Sequence, residues 1–460
     1  LKLADPTALV QYGHGLLKAG RLEEAYQVAQ QVQGMELLTG SLHDAMGALW
    51  SRCDEPGRAL RFFERAVQLE PANSLFLYNL ATAHRMLGDL DAAEAGLRKV
   101  IRRNPRDISA YHLLSDLRTQ TADSNHIDSL EALLRTVRGG SMDEVILRFA
   151  LAKELEDIHA HARSFEHLRA GCSVYRRMIQ YDVGADVRTL ERLIELHRPE
   201  SLQSGADCSA VEAIFVLGLP RTGTTLVDRI LSGHSRLTSI GESMAFPLAC
   251  IRAVRQGLEG SPTKLEFVMR SLQTDPVALG RSYVSSIRAT RAPSEGRFVD
   301  KQPMNLLYAG LIRRSLPRAL FVLIERDPMD ACYAMFKTLF TGAHPYSYDL
   351  GELAHYYAAW HRLARHWQEV LGERLLLIRY EDLVAHPEDA ARRLISHCGL
   401  SWESACLDFH RQREAVTTAS AVQVRSPIYS SSVGKWTHYR EQLEPLRRAL
   451  ERLEPSGGWH

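Results

Sequence analysis

The stretch Gly218-Leu219-Pro220-Arg221-Thr222-Gly223-Thr224-Thr225 decides how the second half of the chain is read. It follows the continuous apolar run Ala213-Ile214-Phe215-Val216-Leu217 and precedes Leu226-Val227-Asp228-Arg229-Ile230-Leu231. A short apolar run bounded by turn residues is the pattern of a strand buried on both faces. The residues after the loop predict a helix. Glycines at 218 and 223 let backbone N–H groups turn inward, and a helix starting near Thr224 points its positive end at whatever sits in the loop. The segment therefore predicts an anion cradle, with Arg221 adding charge from inside it. The alternative is a glycine-rich turn with no ligand.

Working outward, similar apolar runs occur at 320–324 and 375–378, with a strand-like segment at 297–299. Helical spacing runs over 353–369 and 387–398. Strands separated by helices predict a parallel sheet covered on both faces, with ligands at the carboxyl ends of the strands. Against the P-loop pattern, GxxxxG is intact, Thr224 stands where a lysine is expected, and Thr225 keeps the hydroxyl. A lysine at that position reaches the β- and γ-phosphates, so its absence argues against a nucleotide kinase or hydrolase.

The chain has 460 residues, 45% of them hydrophobic, which suits two or three domains with real cores and excludes a disordered chain. Net charge is +1, so wholesale electrostatic binding to nucleic acid or an anionic membrane is not indicated. Cys53, Cys172, Cys208, Cys250, Cys332, Cys398 and Cys406 are scattered and form no CxxC pair. They read as buried small hydrophobes in a reducing compartment, and a cytoplasmic location is the expectation. No apolar run reaches the length of a membrane span. The sequence opens on Leu1 rather than Met, so a targeting segment ahead of it stays open.

The first half is periodic. Ala25, Ala59 and Ala93 are 34 residues apart, as are Pro71 and Pro105, Gly13, Gly47 and Ala81, and Gly20, Asp54 and Gly88. Apolar residues at helical spacing fill 75–86 and 90–101. These columns, with Trp50 and Phe63, resemble tetratricopeptide repeats, three units over residues 5–108. Residues 109–198 still read as helix, for example 144–162, although 126–135 is less clear. The array offers either a concave surface for a peptide or partner protein, or a scaffold that packs on the next domain or on a second copy of the chain in a homodimer. The turn-rich segment 199–207 marks a boundary. The expected division is a repeat domain over 1–205 and an α/β domain over 206–460.

The loop at 218–225 resembles the 5′-phosphosulfate loop of sulfotransferases, and the resemblance covers residues 211–446. The union with repeats is similar to a bacterial group of such fusions, and the α/β domain resembles the tyrosylprotein branch more than the cytosolic small-molecule branch. The resemblance implies 3′-phosphoadenosine 5′-phosphosulfate (PAPS) as cofactor, its 3′,5′-bisphosphate (PAP) as product, and no metal. It assigns the loop Pro220, Arg221, Thr222, Gly223, Thr224 and Thr225 to the 5′ side. Arg326, after the run 320–324, then binds the 3′-phosphate, unless it is a salt-bridge partner of Asp327 or Asp330. Eight residues on, where the family usually has serine, stands Ala334. Thr338 or Tyr333 is available to replace the missing hydroxyl.

Lys301, in Asp300-Lys301-Gln302-Pro303, matches the family's lysine that neutralises charge on the bridging oxygen; otherwise it is a surface lysine. Glu242, in Gly241-Glu242-Ser243, matches the protein-tyrosine branch's base; otherwise it is a solvated carboxylate. The cytosolic branch uses a histidine, and His234 is nearby but reads as a helix cap. Tyr380 matches a tyrosine near the cofactor, or packs. Lys435, in Val433-Gly434-Lys435-Trp436, matches a lysine on a lid over the phosphates, or is a solvated loop residue. The aromatic run 344–349, with Tyr356 and Tyr357, lines an acceptor site or belongs to the core.

The expectation is an α/β P-loop-like parallel sheet of sulfotransferase type, preceded by an all-α tetratricopeptide-repeat domain. It moves a sulfuryl group to a hydroxyl on a protein, peptide or small molecule. The competing reading is a repeat scaffold whose sulfotransferase-like domain is inactive.

Overall fold

A computed structural model describes residues 5–202, 212–258, 260–291, 297–408, 428 and 430–454. The repeat columns have distinct physical jobs. Ala25, Ala59 and Ala93 are fully buried. A Cβ on Gly13 would meet Leu49, and one on Gly47 would meet the Phe63 ring, so these small residues let helices cross closely. Gly20, Asp54 and Gly88 form a turn column instead. All three have left-handed backbone, with φ of 71°, 63° and 85°, and each follows the first helix of a pair. Those first helices are Pro6–Lys18, Gly40–Arg52 and Ser74–Leu87; their partners are Leu22–Gln33, Pro56–Leu69 and Leu90–Arg103.

Beyond the repeats, Ile108–Leu117, Ile127–Leu134 and Met142–Asp157 continue the helical pattern. The helix expected over 144–162 is two helices. It breaks at His159, whose φ is 62°, and restarts as His161–Met178.

The chain divides into two compact units between residues 167 and 168. The expected boundary at 205/206 lies among 203–211, outside the described residues, as does Cys208. By packing, the helix Val183–Leu196 goes with the second unit. There the Arg176 guanidinium pairs with Glu352 of the long helix Leu350–Leu371 at 2.6 Å.

The second unit carries five strands: β1 Ala213–Leu217, β2 Leu237–Ser239, β3 Arg297–Asp300, β4 Leu320–Glu325 and β5 Leu375–Arg379. All pair in parallel, in the order β2-β3-β1-β4-β5. The chain runs from central β1 out to the edge strand β2, comes back through β3 between β2 and β1, and then crosses β1 to β4 and β5. That reversal opens a crevice beyond the carboxyl end of β1. Every residue of β1 is buried, as its unbroken apolar run requires. Ile214, Val216, Val299, Val322 and Ile324 pack with Val227, Ile230 and Leu231 of the helix Thr224–Ser232, and with Leu394 and Ile395 of the helix Pro387–His397. Among the described residues no helix is long and apolar enough to cross a membrane. The six described cysteines are free and buried.

Candidate active site

The parallel sheet puts the carboxyl ends of all five strands on one side, and the sequence candidates follow those ends. The Gly218 loop follows β1, Glu242 follows β2, Lys301 follows β3, Arg326 follows β4 and Tyr380 follows β5. Lys435 begins a 3₁₀ turn, Lys435–Tyr439, late in the chain.

Glycine is required at both loop positions. A Cβ on Gly218 would stand 2.9 Å from Thr224 Cγ2 and 3.2 Å from the Ile324 carbonyl oxygen. Gly223 has φ 106°, and a Cβ there would stand 2.6 Å from Tyr380 Cδ2. Between them Arg221, a non-glycine residue, is held at φ 68°, a conformation that costs about 1–3 kcal/mol and persists only where the surroundings impose it. The Thr222 hydroxyl donates to the Leu219 carbonyl at 2.7 Å and closes the loop on itself. The helix then opens at Thr224 with no side-chain cap from Gly223.

Arg326 ties the site together. Its Nη1 donates to the Arg221 carbonyl at 3.1 Å, its Nη2 donates to the Ser432 carbonyl, and its guanidinium lies 4.7 Å above the Tyr380 ring. The alternative read from the sequence, a salt bridge to Asp330, is present but long, 3.9 Å. Arg326 Nε is buried with no hydrogen-bond partner among the described residues, a donor suited to an anion. Burial pushes the flanking carboxyls of Glu325 and Asp327 above their ordinary values.

Tyr380 packs between Gly223 and Arg326, at the carboxyl end of β5. Lys435 is half-buried. Residues 425–427 and 429, part of the serine-rich segment before it, lie outside the described residues.

Lys301 and Glu242 meet directly, Nζ to Oε1 at 2.6 Å. The lysine side chain is 1% exposed, so the surface-lysine reading is excluded, while Glu242 is 41% exposed and open to an incoming group. The Lys301 turn also reaches both neighbouring loops. Lys301 N donates to the Gly241 carbonyl at 3.0 Å, and Gly218 N donates to the Pro303 carbonyl at 3.4 Å.

His234 and the aromatic run fall outside the site. His234 Nδ1 accepts from Arg236 N at 3.1 Å, and its other nitrogen, Nε2, is 2.9 Å from the Ser401 carbonyl. One ring nitrogen is engaged in its own turn and the other on the distant Ser401 carbonyl, so His234 is structural. The aromatic run is core: Tyr346 and Tyr356 stack at 3.6 Å, and Tyr348 and Tyr357 are buried with them. Ala334 is buried in the helix Pro328–Phe336, and Thr338 spends its hydroxyl on the Ala334 carbonyl at 2.8 Å. Tyr333 packs on Tyr439, ring centroids 4.8 Å apart.

In the sequence Asp330 reads only as a partner for Arg326. Its carboxylate also accepts from Gly434 N at 2.6 Å and Trp436 N at 3.2 Å, and so fastens the Lys435 segment to the helix after β4.

Residues 213–404 match the model of the Sulfotransferase family, and residues 54–117 match a Tetratricopeptide repeat model. The chain is similar to an uncharacterized protein of Aquifex aeolicus, 29% identical over 395 residues, which are 83% of this chain and 51% of that protein. It is similar to protein-tyrosine sulfotransferase 2 of Gallus gallus, 24% identical over 239 residues, 48% of this chain and 62% of that one. The chain thus spans between about half and two-thirds of these relatives' lengths. Among solved structures, the sulfotransferase domain from the curacin biosynthetic pathway is 19% identical with a TM-score of 0.39, covering 54% of this chain and 98% of that one. The chain joins a tetratricopeptide repeat region to a domain of the sulfotransferase family.

Proposed function

We propose that the second unit transfers a sulfuryl group from PAPS to an acceptor hydroxyl. The observation that carries the reading is the Lys301 turn. It is hydrogen-bonded to the phosphate loop on one side and to the Glu242 loop on the other, and its ammonium lies on the Glu242 carboxylate. A cation and a base at the lip of an anion cradle that lacks the kinase lysine suit transfer of a charged group to a hydroxyl better than phosphate hydrolysis.

The residues fit the donor nucleotide. The Gly218–Gly223 loop is a cradle that a single Cβ would fill, and Arg326 keeps a buried donor to spare. Arg221 and the amides opening the helix at Thr224 would hold the 5′ side, Arg326 the 3′-phosphate, and Lys435 would close over the phosphates. Glu242 takes the proton from the acceptor oxygen as that oxygen bonds to sulfur. When bound, PAPS would supply the sulfuryl group by cleavage of the sulfur–oxygen bond to its 5′-phosphate, and Lys301 would hold the charge left on that oxygen.

The acceptor proposed is a tyrosine hydroxyl in a protein or peptide, on the strength of the Gly241-Glu242 segment and the similarity to protein-tyrosine sulfotransferases. The repeat unit supplies the surface for a protein partner or a second copy. Incubation with ³⁵S-labelled PAPS and three acceptor sets, tyrosine peptides, sugars and simple phenols, tests the reading. Label in the peptides supports it, label in sugars or phenols alone removes the tyrosine assignment, and no label with any acceptor removes the transfer.

Ala334 favours a second reading, a repeat scaffold with an inactive domain, because it lacks the hydroxyl expected beside the 3′-phosphate. Measurable turnover excludes it.

A further inference from the structure

The end of β3 buries more polar chemistry than the reaction uses. Asp300, Lys301 and Asn305 are withdrawn from water together with Tyr283 of the helix Pro276–Arg291. Both carboxylate oxygens of Asp300 are engaged. The Tyr283 hydroxyl donates to Oδ2 at 2.7 Å, and Asn305 Nδ2 donates to Oδ1 at 3.1 Å. Burying a carboxylate is far more costly than burying an apolar side chain unless such bonds are made, and the surroundings here, Phe215, Phe246 and Phe298 around the Tyr283 ring, would accept an apolar residue. The network therefore calls for a reason beyond packing.

Its geometry supplies one. The Asn305–Asp300 bond closes the segment 300–305 on itself, and Asn305 N donates to the Gln302 carbonyl at 2.9 Å inside it. Lys301 stands within that closed turn, which is fixed from outside by Gly241 and Gly218. The chain has 8 lysines against 48 arginines, so a buried ammonium at 301 departs from its habit. A lysine is a compact point charge on a flexible stem, and a charge meant for a reacting atom is only as well placed as the backbone that carries it.

We propose that Tyr283, Asp300 and Asn305 form a positioning unit that sets where the Lys301 ammonium stands. They touch no reacting atom and act through the turn. The proposal rests on the sulfuryl-transfer reading for the consequence of that placement, and on the structure alone for the placement.

Three variants separate position from charge. Tyr283→Phe keeps the ring and removes the hydroxyl. Asn305→Ala removes the bond that closes the turn, and carries the test if the tyrosine variant fails to fold. Asp300→Asn removes the charge but keeps the frame, because the buried Asn305 Oδ1, which has no partner among the described residues, can turn to accept from the new amide. Ser115→Ala, which deletes a buried hydrogen bond to Glu154 in the repeat unit, controls for general loss of stability.

In protein labelled with ¹³C-lysine, the Lys301 Cε resonance is assigned by its loss in Lys301→Arg. The second readout is the saturated rate of sulfuryl transfer from p-nitrophenyl sulfate to PAP. Tyr283→Phe and Asn305→Ala should shift or broaden the Lys301 resonance and lower that rate about 10-fold or more, as for a misplaced catalytic group, with nucleotide KM within about 2-fold. Asp300→Asn should stay within about 3-fold of wild type, and Ser115→Ala should move neither readout. An unmoved Lys301 resonance in both Tyr283→Phe and Asn305→Ala overturns the proposal, as does a loss of nucleotide affinity in step with the rate. If wild-type protein neither binds PAP nor transfers, the sulfuryl-transfer reading fails separately, and the Lys301 resonance alone decides the positioning.

Discussion

Gly223 is where the phosphate loop has least freedom, and Gly223→Ala turns that into a number. The residue has φ 106°, which a side chain adopts at a cost of about 1–3 kcal/mol. The added Cβ would lie 2.6 Å from Tyr380 Cδ2 and 3.1 Å from Cε2. Tyr380 has little room to yield, because it is buried beneath the Arg326 guanidinium. Overpacking of this kind costs about 1–3 kcal/mol more, so the total destabilisation is about 2–6 kcal/mol. Gly257 separates the two costs. Its φ is 78°, but nothing lies within 4 Å of a Cβ built there, so Gly257→Ala incurs only the backbone cost. Urea unfolding of the second unit should show Gly223→Ala less stable than Gly257→Ala by about 1–3 kcal/mol, the overpacking cost. Calorimetric titration with PAP should show at least about a tenfold loss of affinity in Gly223→Ala, equal to one charged hydrogen bond, and none in Gly257→Ala. Equal stability of the two variants, with wild-type nucleotide affinity in Gly223→Ala, refutes the close-packed cradle.

Lys301→Ala should lower transfer by about 10²–10³ and Glu242→Gln by about 10²–10⁴, both with product-nucleotide affinity nearly intact. Because the two side chains bond to each other, the double variant should cost little more than the worse single one, and wild-type turnover in Glu242→Gln removes the base assignment. Ala334→Ser should tighten PAP binding by about 0.5–1.5 kcal/mol, and unchanged affinity means that this position faces elsewhere. Burial pushes the His197 imidazole down to about 4. The unfolded chain then binds the extra proton first, so this stability is full above the unfolded value near 6.5 and is lost as pH falls toward 4. By pH 5 the loss is about 2 kcal/mol. His197→Leu should flatten that slope in acid denaturation, and an unchanged slope contradicts the assignment.

What was legible in the sequence was what is local. An apolar run, two glycines and a helix lie within twenty residues, and they announce β1 and its loop without help from the rest of the chain. The 34-residue columns are likewise set by repeated local crossings and turns. β2 was legible only as a strand-like segment without bounds before Glu242, because it has three residues and carries its side chains into a mixed environment, with Thr238 exposed. The helix Ile127–Leu134 is short and sits outside the repeat columns. Composition also cannot tell which neighbour a helix packs against, so the division at 167/168 was not visible. In the site, Arg326, Tyr380 and Lys435 were read from short motifs. The bonds of Asp330 to Gly434 and Trp436 were not, because they join residues 104 and 106 positions apart and the local reading of Asp330 is a salt bridge on its own helix. Asp300 and Asn305 look like turn residues until Tyr283 arrives from another element.

Binding of the product nucleotide decides the central claim most directly, since it needs no acceptor. Calorimetry should give saturable, one-site binding of PAP to the wild-type chain and none of ATP at the same concentrations. Arg221→Ala, folded by circular dichroism, should bind PAP more weakly by about 1.5–3 kcal/mol, the worth of a hydrogen bond to a charged group. Binding of ATP in preference to PAP, or a folded Arg221→Ala with wild-type affinity, would contradict the assignment of the Gly218–Thr225 loop to a phosphosulfate donor.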